Sequence, residues 1–197
     1  MKLPTDFDNA KAYNGGTPSG IQIPVGPHCC RIVGARCMTS SVGTEMLEVA
    51  FDIYEGGDYD GRFGEMFQEA RAQNPSAKWP AKGIFRTGIL TKEGKTNGYF
   101  KGVITAVEES NAGYSFKATN CNEATLKDKM IAFNFGEREF LGNDSNIHIA
   151  VEPFYAISVA TARAGIAPPK RKTYKFADGT PAGFTDVTEA EQPNLPF

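Results

Sequence analysis

Three stretches of the chain alternate apolar with polar residues, and that period of two restricts the fold more than any other feature. Leu47, Val49, Phe51 and Ile53 alternate with Glu48, Ala50 and Asp52. Ile131, Phe133 and Phe135 alternate with Ala132, Asn134 and Gly136, and Ile147, Ile149 and Val151 with His148, Ala150 and Glu152. Successive side chains of a strand point to opposite faces, so each stretch reads as a half-buried strand. A further strand pattern covers residues 28–38, opened by Pro24-Val25-Gly26-Pro27. Ser40-Ser41-Val42-Gly43 supplies a hairpin turn between it and the strand at 46–54. Residues 55–61 break the pattern and lead into another strand at 62–67.

The middle of the chain is less regular. Residues 69–80 are polar, and Trp79-Pro80 stops any helix that reaches them. Phe100, Val103, Ile104 and Val107 fall at i, i+3, i+4 and i+7, one face of a short helix. A second short helix near 158–164 closes on Gly165, and Pro168-Pro169 ends the domain. Residues 1–20 are polar and turn-rich, a flexible arm. Residues 177–197 are rich in Asp, Glu, Thr, Gly and Pro, a disordered acidic tail. The folded domain is therefore expected at 21–176. Five antiparallel strands in two groups with a helical segment between them predict a mainly β (α+β) fold: a five-stranded OB-type Greek-key barrel with a short helix and disordered termini. Periodicity alone fits other mixed α+β folds as well.

Charge decides which partners are open to such a domain. The chain of 197 residues has 21 Lys and Arg against 23 Asp and Glu, a net charge of -2 that argues against a polyanion. Its distribution argues the other way. Residues 78–101 hold six bases and one acid, and residues 163–175 hold five bases and no acid. Residues 45–69 hold eight acids against Arg62, and the last 21 residues hold four acids and no base. A polyanion responds to the local field rather than to the total.

No catalytic constellation emerges. His28-Cys29-Cys30 with Cys37 are ligand types for zinc, but neighbouring strand residues face opposite ways and no second C-x-x-C is present. They read as buried thiols. The acids Asp52, Glu55, Asp58, Asp60 and Glu65 offer an alternative, a metal-dependent nuclease, but a solvated turn explains them more simply. A protein-binding adaptor with no nucleic-acid role is a further alternative. Single-strand binding needs bases along the backbone and rings under the nucleobases. Two segments interleave them: Lys78, Trp79, Lys82, Phe85 and Arg86 in one, and Lys170, Arg171, Lys172 and Tyr174 in the other. Arg31 and Arg36 on the first strand are weaker candidates. Glu48 and Asp52, on the outward face of the second strand, count against the reading because they should repel phosphate.

The sequence closes on Gln192-Pro193-Asn194-Leu195-Pro196-Phe197 after Glu189 and Glu191. An apolar tip behind acids suits a pocket with a basic rim, so Leu195, Pro196 and Phe197 are expected to bind a partner protein. This tail resembles that of bacterial single-stranded-DNA-binding proteins, which close with an acidic tip ending in Pro-Phe. The body resembles a family of phage and prophage proteins regarded as single-stranded-DNA-binding and encoded near recombination genes. The matching residues are Phe7-Asp8 ahead of Pro24-x-Gly26, and Gly43-x-x-Met46-Leu47 leading into Phe51-Asp52-Ile53. They continue with Leu126-Lys127-Asp128-Lys129, where Asp128 stands at an expected glycine, and Ala164-Gly165 with Pro168-Pro169.

The resemblance implies an OB-type fold, non-catalytic binding of single-stranded DNA in phage replication or recombination, and partners among replication and recombination proteins. No cofactor, no metal and no membrane partner is expected, and a homo-oligomer is compatible with the pattern. The first residues, Met1-Lys2-Leu3-Pro4-Thr5-Asp6, lack the apolar run of a signal peptide, which points to the cytoplasm of a bacterial host.

Overall fold

A computed structural model describes residues 23–175. It contains five strands, β1 (Gly26–Thr39), β2 (Glu45–Ile53), β3 (Ile84–Gly88), β4 (Met130–Leu141) and β5 (Ile147–Ile157). Three α-helices accompany them, α1 (Arg62–Gln73), α2 (Gly98–Ser110) and α3 (Val159–Ala164). The strands form one antiparallel sheet in the order β3-β2-β1-β4-β5. The fold is mainly β, as the alternating stretches require. Among the described residues no helix is long and apolar enough to cross a membrane.

The alternation in β2 works as expected: Leu47, Val49, Phe51 and Ile53 are buried, and their cross-strand partners set the register with β1 and β3. The sheet is strongly curled. In a flat sheet β3 and β4 would lie three strand spacings apart, about 14 Å. Instead the rings of Phe85 on β3 and Phe133 on β4 have centroids 5.1 Å apart. Bulges at Val33 in β1, between Ile32 and Gly34, and at Phe154 in β5, opposite Asn134 and Phe135, add the local twist such a curl needs. The two edges, β3 and β5, are not joined by a ladder, so the sheet is not closed into the expected barrel.

α2 packs its buried Val103, Ile104, Ala106 and Val107 into the concave core. Asn97 caps it by accepting from the Tyr99 amide at 2.8 Å. α3, capped by Ser158, covers the opposite face with a small cluster of Cys29, Ala132 and Ala162. β1 and β4 are therefore buried on both sides there, which explains why His28, Cys29 and Cys30 are all buried in succession. The buried-thiol expectation holds for Cys29 and Cys30 and fails for Cys37, which is exposed. Asp128, at the position expected to be glycine, adopts a left-handed φ of 63°.

The strand expected at 62–67 is the first two turns of α1. The correction has a clear cause. Gly61, at φ 70°, turns the chain. The Asp52 carboxylate then accepts from the amides of Phe63 and Gly64, each at 2.9 Å, capping the helix from a neighbouring strand. Phe63, Met66, Phe67 and Ala70 also follow helical spacing. Phe63 is 1% exposed, a burial worth about 2 kcal/mol. The third strand of the chain is instead Ile84–Gly88, downstream.

Candidate nucleic-acid interface

The gap between the edge strands β3 and β5 is a cleft of about 700 Å³. Both of its walls carry bases. Lys82 comes from the 3-10 turn Ala81–Gly83 and Arg86 from β3. Arg138 comes from β4 and Lys172 from the segment after α3. Glu152 is the lining acid, and Tyr99 is a lining ring that is 56% exposed.

Lys172 reaches the cleft because the chain after α3 is strapped along β4. The Lys172 amide donates to Glu137 O and the Glu139 amide to Lys172 O, both at 2.9 Å. Upstream, Asn134 Nδ2 donates to Ala167 O at 3.0 Å. Gly136 makes room for the strap, since a Cβ there would lie 2.6 Å from Pro169 Cγ and 2.8 Å from the Phe154 ring. The Lys172 ammonium then rests 3.6 Å from the centroid of Phe154. The two basic segments, remote in sequence, thus meet on one face.

The acids on this side of the molecule are neutralised. Arg36, Glu48 and Arg86 stand opposite one another across β1, β2 and β3. Glu48 accepts from Arg36 Nε at 2.8 Å and from Arg86 Nε at 2.7 Å. Burial works against its charge, but the two guanidiniums outweigh burial and hold the carboxyl below its ordinary value. Glu48 thus presents a carboxylate paired with two guanidiniums rather than a bare negative charge. Asp52 is likewise occupied with the amides of α1, and burial pushes its carboxyl up in spite of them.

Three of the remaining acids of the alternative nuclease segment, Glu55, Asp60 and Glu65, also have structural partners. Asp60 accepts from the amides of Glu55 and Gly56 at 2.7 and 3.0 Å. Glu55 lies 2.9 Å from His28 Nδ1 and accepts from the Cys29 amide. Glu65 pairs with Arg62 at 3.2 Å. Among the described residues no three His, Cys, Asp or Glu side chains are grouped to hold a metal.

The other expected contacts are scattered. Lys78 and Lys170 are exposed and flank the cleft in sequence without lining it. Trp79 is half-buried, turned onto Phe67 of α1 with its Nε1 donating to Gly83 O at 3.1 Å. Phe85 is 6% exposed and belongs to the core. Neither ring is a surface platform for a base. Arg31 stacks over Tyr54 at 4.4 Å, away from the cleft lining. Arg171 pairs with Glu137 at 2.6 Å, and the Tyr174 amide donates to Glu139 at 3.1 Å. Leu195, Pro196 and Phe197 lie outside the described residues.

Sequence reasoning missed Arg138 and Tyr99. Arg138 lies two residues past the strand pattern as read, and Tyr99 sits beside Phe100, the first apolar position of the helical face. Compared with protein-family models and with curated proteins, the chain matches none.

Proposed function

We propose that the protein binds single-stranded DNA without catalysis, the sugar–phosphate backbone lying in the cleft between β3 and β5. In this reading it coats single strands during phage replication or recombination. Leu195, Pro196 and Phe197 would then engage other replication or recombination proteins. The observation that carries the reading is the convergence of Lys82 and Arg86 with Lys172 around one cleft, with Arg138 beside them. Arg86 and Arg138 are paired with Glu48 and Glu152, so Lys82 and Lys172, which no carboxylate compensates, give the local field that a polyanion needs, in spite of the net charge. The strand order adds support. β4 returns to lie beside β1 after a long helical connection, which is the spatial order of a Greek key. A sheet curled this far and left unpaired between its edges suits a partly open OB-type barrel.

The test is a titration of fluorescently labelled oligo-dT at several salt concentrations, with duplex of equal length as control. Single strands should bind more tightly. If all four lining bases meet phosphates, log affinity should fall against log salt with a slope near -3, at about -0.7 per contact. Binding should survive a chelator and leave the oligonucleotide intact. Equal affinity for duplex, or none at low salt, refutes the reading, and magnesium-dependent cleavage replaces it with the nuclease alternative.

A further inference from the structure

Asn97 and Tyr99 line two concavities at once, the basic cleft and a shallower groove of about 500 Å³ that continues from it. The groove runs between the start of α2 and the end of β5. Gly98 and Gly102 form its floor, one helical turn apart, and a Cβ at either would meet nothing within 4 Å. Tyr99 stands on one side and Tyr155 on the other. Tyr155 is held in place, its hydroxyl accepting from Asn134 Nδ2 at 2.8 Å. The Asn97 carbonyl oxygen is spent on the Tyr99 amide, while its Nδ2 makes no hydrogen bond among the described residues. Lys101 lines the adjoining stretch of α2.

Resting on the proposed function, we infer that this groove is the nucleobase site of the bound strand, with Tyr99 as the ring on which a base stacks. The phosphates occupy the basic cleft and then pass toward Lys101. A base seated over Gly98 and Gly102 lies against the exposed Tyr99 ring and within reach of the Asn97 amide donor. The groove is poor in charge, as a stacking site should be, and it continues directly from the basic cleft. Two features of the groove thus choose the occupant: continuity with the phosphate path, and a ring 56% exposed beside a bare helical floor. The stacking role moves from Trp79 and Phe85, whose rings are committed to packing, to Tyr99.

The test compares oligo-dT with an oligomer of equal length and charge whose central nucleotides are abasic. The wild type should prefer oligo-dT. Tyr99→Ala should lose about 5- to 150-fold in affinity for oligo-dT, as expected for one stacked base. It should leave affinity for the abasic oligomer and the salt slope unchanged. Tyr99→Phe should keep the preference. If the wild type binds oligo-dT and Tyr99→Ala binds it equally well, the base site is refuted and the phosphate cleft stands. If Tyr99→Ala weakens both oligomers alike, its effect is structural and the base site is again refuted. If the wild type binds neither oligomer, the proposed function itself fails.

Discussion

Glu48→Gln tests how the interface is organised. Glu48 is 7% exposed and joins Arg36 on β1 to Arg86 on β3. Hydrogen bonds to charged groups are worth about 1.5–3 kcal/mol each. The Arg36 and Arg86 side chains are 67% and 46% exposed, so solvent reduces each to about 1 kcal/mol. Glutamine keeps one oxygen for one guanidinium and turns an amide donor toward the other. The expected loss is about 1–2 kcal/mol, read from urea denaturation midpoints with an unchanged slope. The pH dependence has a definite sign. The folded carboxyl titrates below its ordinary value near 4.5, so its contribution is complete above that pH and is lost as pH falls through the folded value. The gap between wild type and Glu48→Gln should be constant from pH 6 to 8 and shrink below about pH 4.5. A gap that is absent at pH 7, or that widens on acidification, refutes the assignment of Glu48 as a charged cross-strand tie.

Three further outcomes are expected. Gly83→Ala places a Cβ 2.7 Å from Trp79 Nε1 and 2.9 Å from Phe63 Cγ, with Phe51 O at 3.1 Å, and should lower the thermal midpoint in calorimetry by about 5–10 °C. Lys82→Gln combined with Lys172→Gln should make the salt slope of oligo-dT binding shallower by about 1.4, with a stability loss of no more than about 1 kcal/mol from the Lys172–Phe154 contact. Removing Leu195, Pro196 and Phe197 should leave oligo-dT affinity unchanged and reduce capture of purified host replication proteins, and equal capture would refute the partner role.

Much of the sheet was legible because one physical signal, alternation, dominates where one face meets the core and the other does not. β2, β4 and β5 follow from it, and α2 follows from the spacing of Phe100, Val103, Ile104 and Val107. The signal failed where other forces set the structure. α1 carries the helical spacing of Phe63, Met66, Phe67 and Ala70, but its start is set by the Asp52 carboxylate on β2 capping amides eleven and twelve residues away. β3 is five residues long and buries only Phe85 and Thr87, too little pattern to separate it from a loop. The stacking candidates Trp79 and Phe85 show the limit for sites. An aromatic ring beside lysines has the same sequence signature whether it faces solvent or the core, and here packing against Phe67 and Phe133 took both. The place of Lys172 depends on Gly136 admitting Pro169, a tertiary fit visible only after the chain is folded.

The charges divide by residue type in a way that bears on function. Arg36, Arg62, Arg86, Arg138 and Arg171 each pair with a carboxylate of the body. The planar guanidinium suits such fixed, directional pairing. Lys78, Lys82, Lys170 and Lys172 make no ion pair among the described residues. These four lysines therefore keep their charge uncompensated by any carboxylate, as point charges on long stems, Lys172 resting on the Phe154 ring. A ligand whose phosphates vary in position from one nucleotide to the next is met better by such groups than by arginines already tied into the sheet. The net charge of -2 conceals this, because the acids Glu48, Glu137 and Glu152 are spent on arginines while the lysines at the cleft face outward. Neutralising lysines should accordingly change the salt slope with little effect on stability, whereas removing Arg36 or Arg86 should cost stability by leaving Glu48 buried with a single partner.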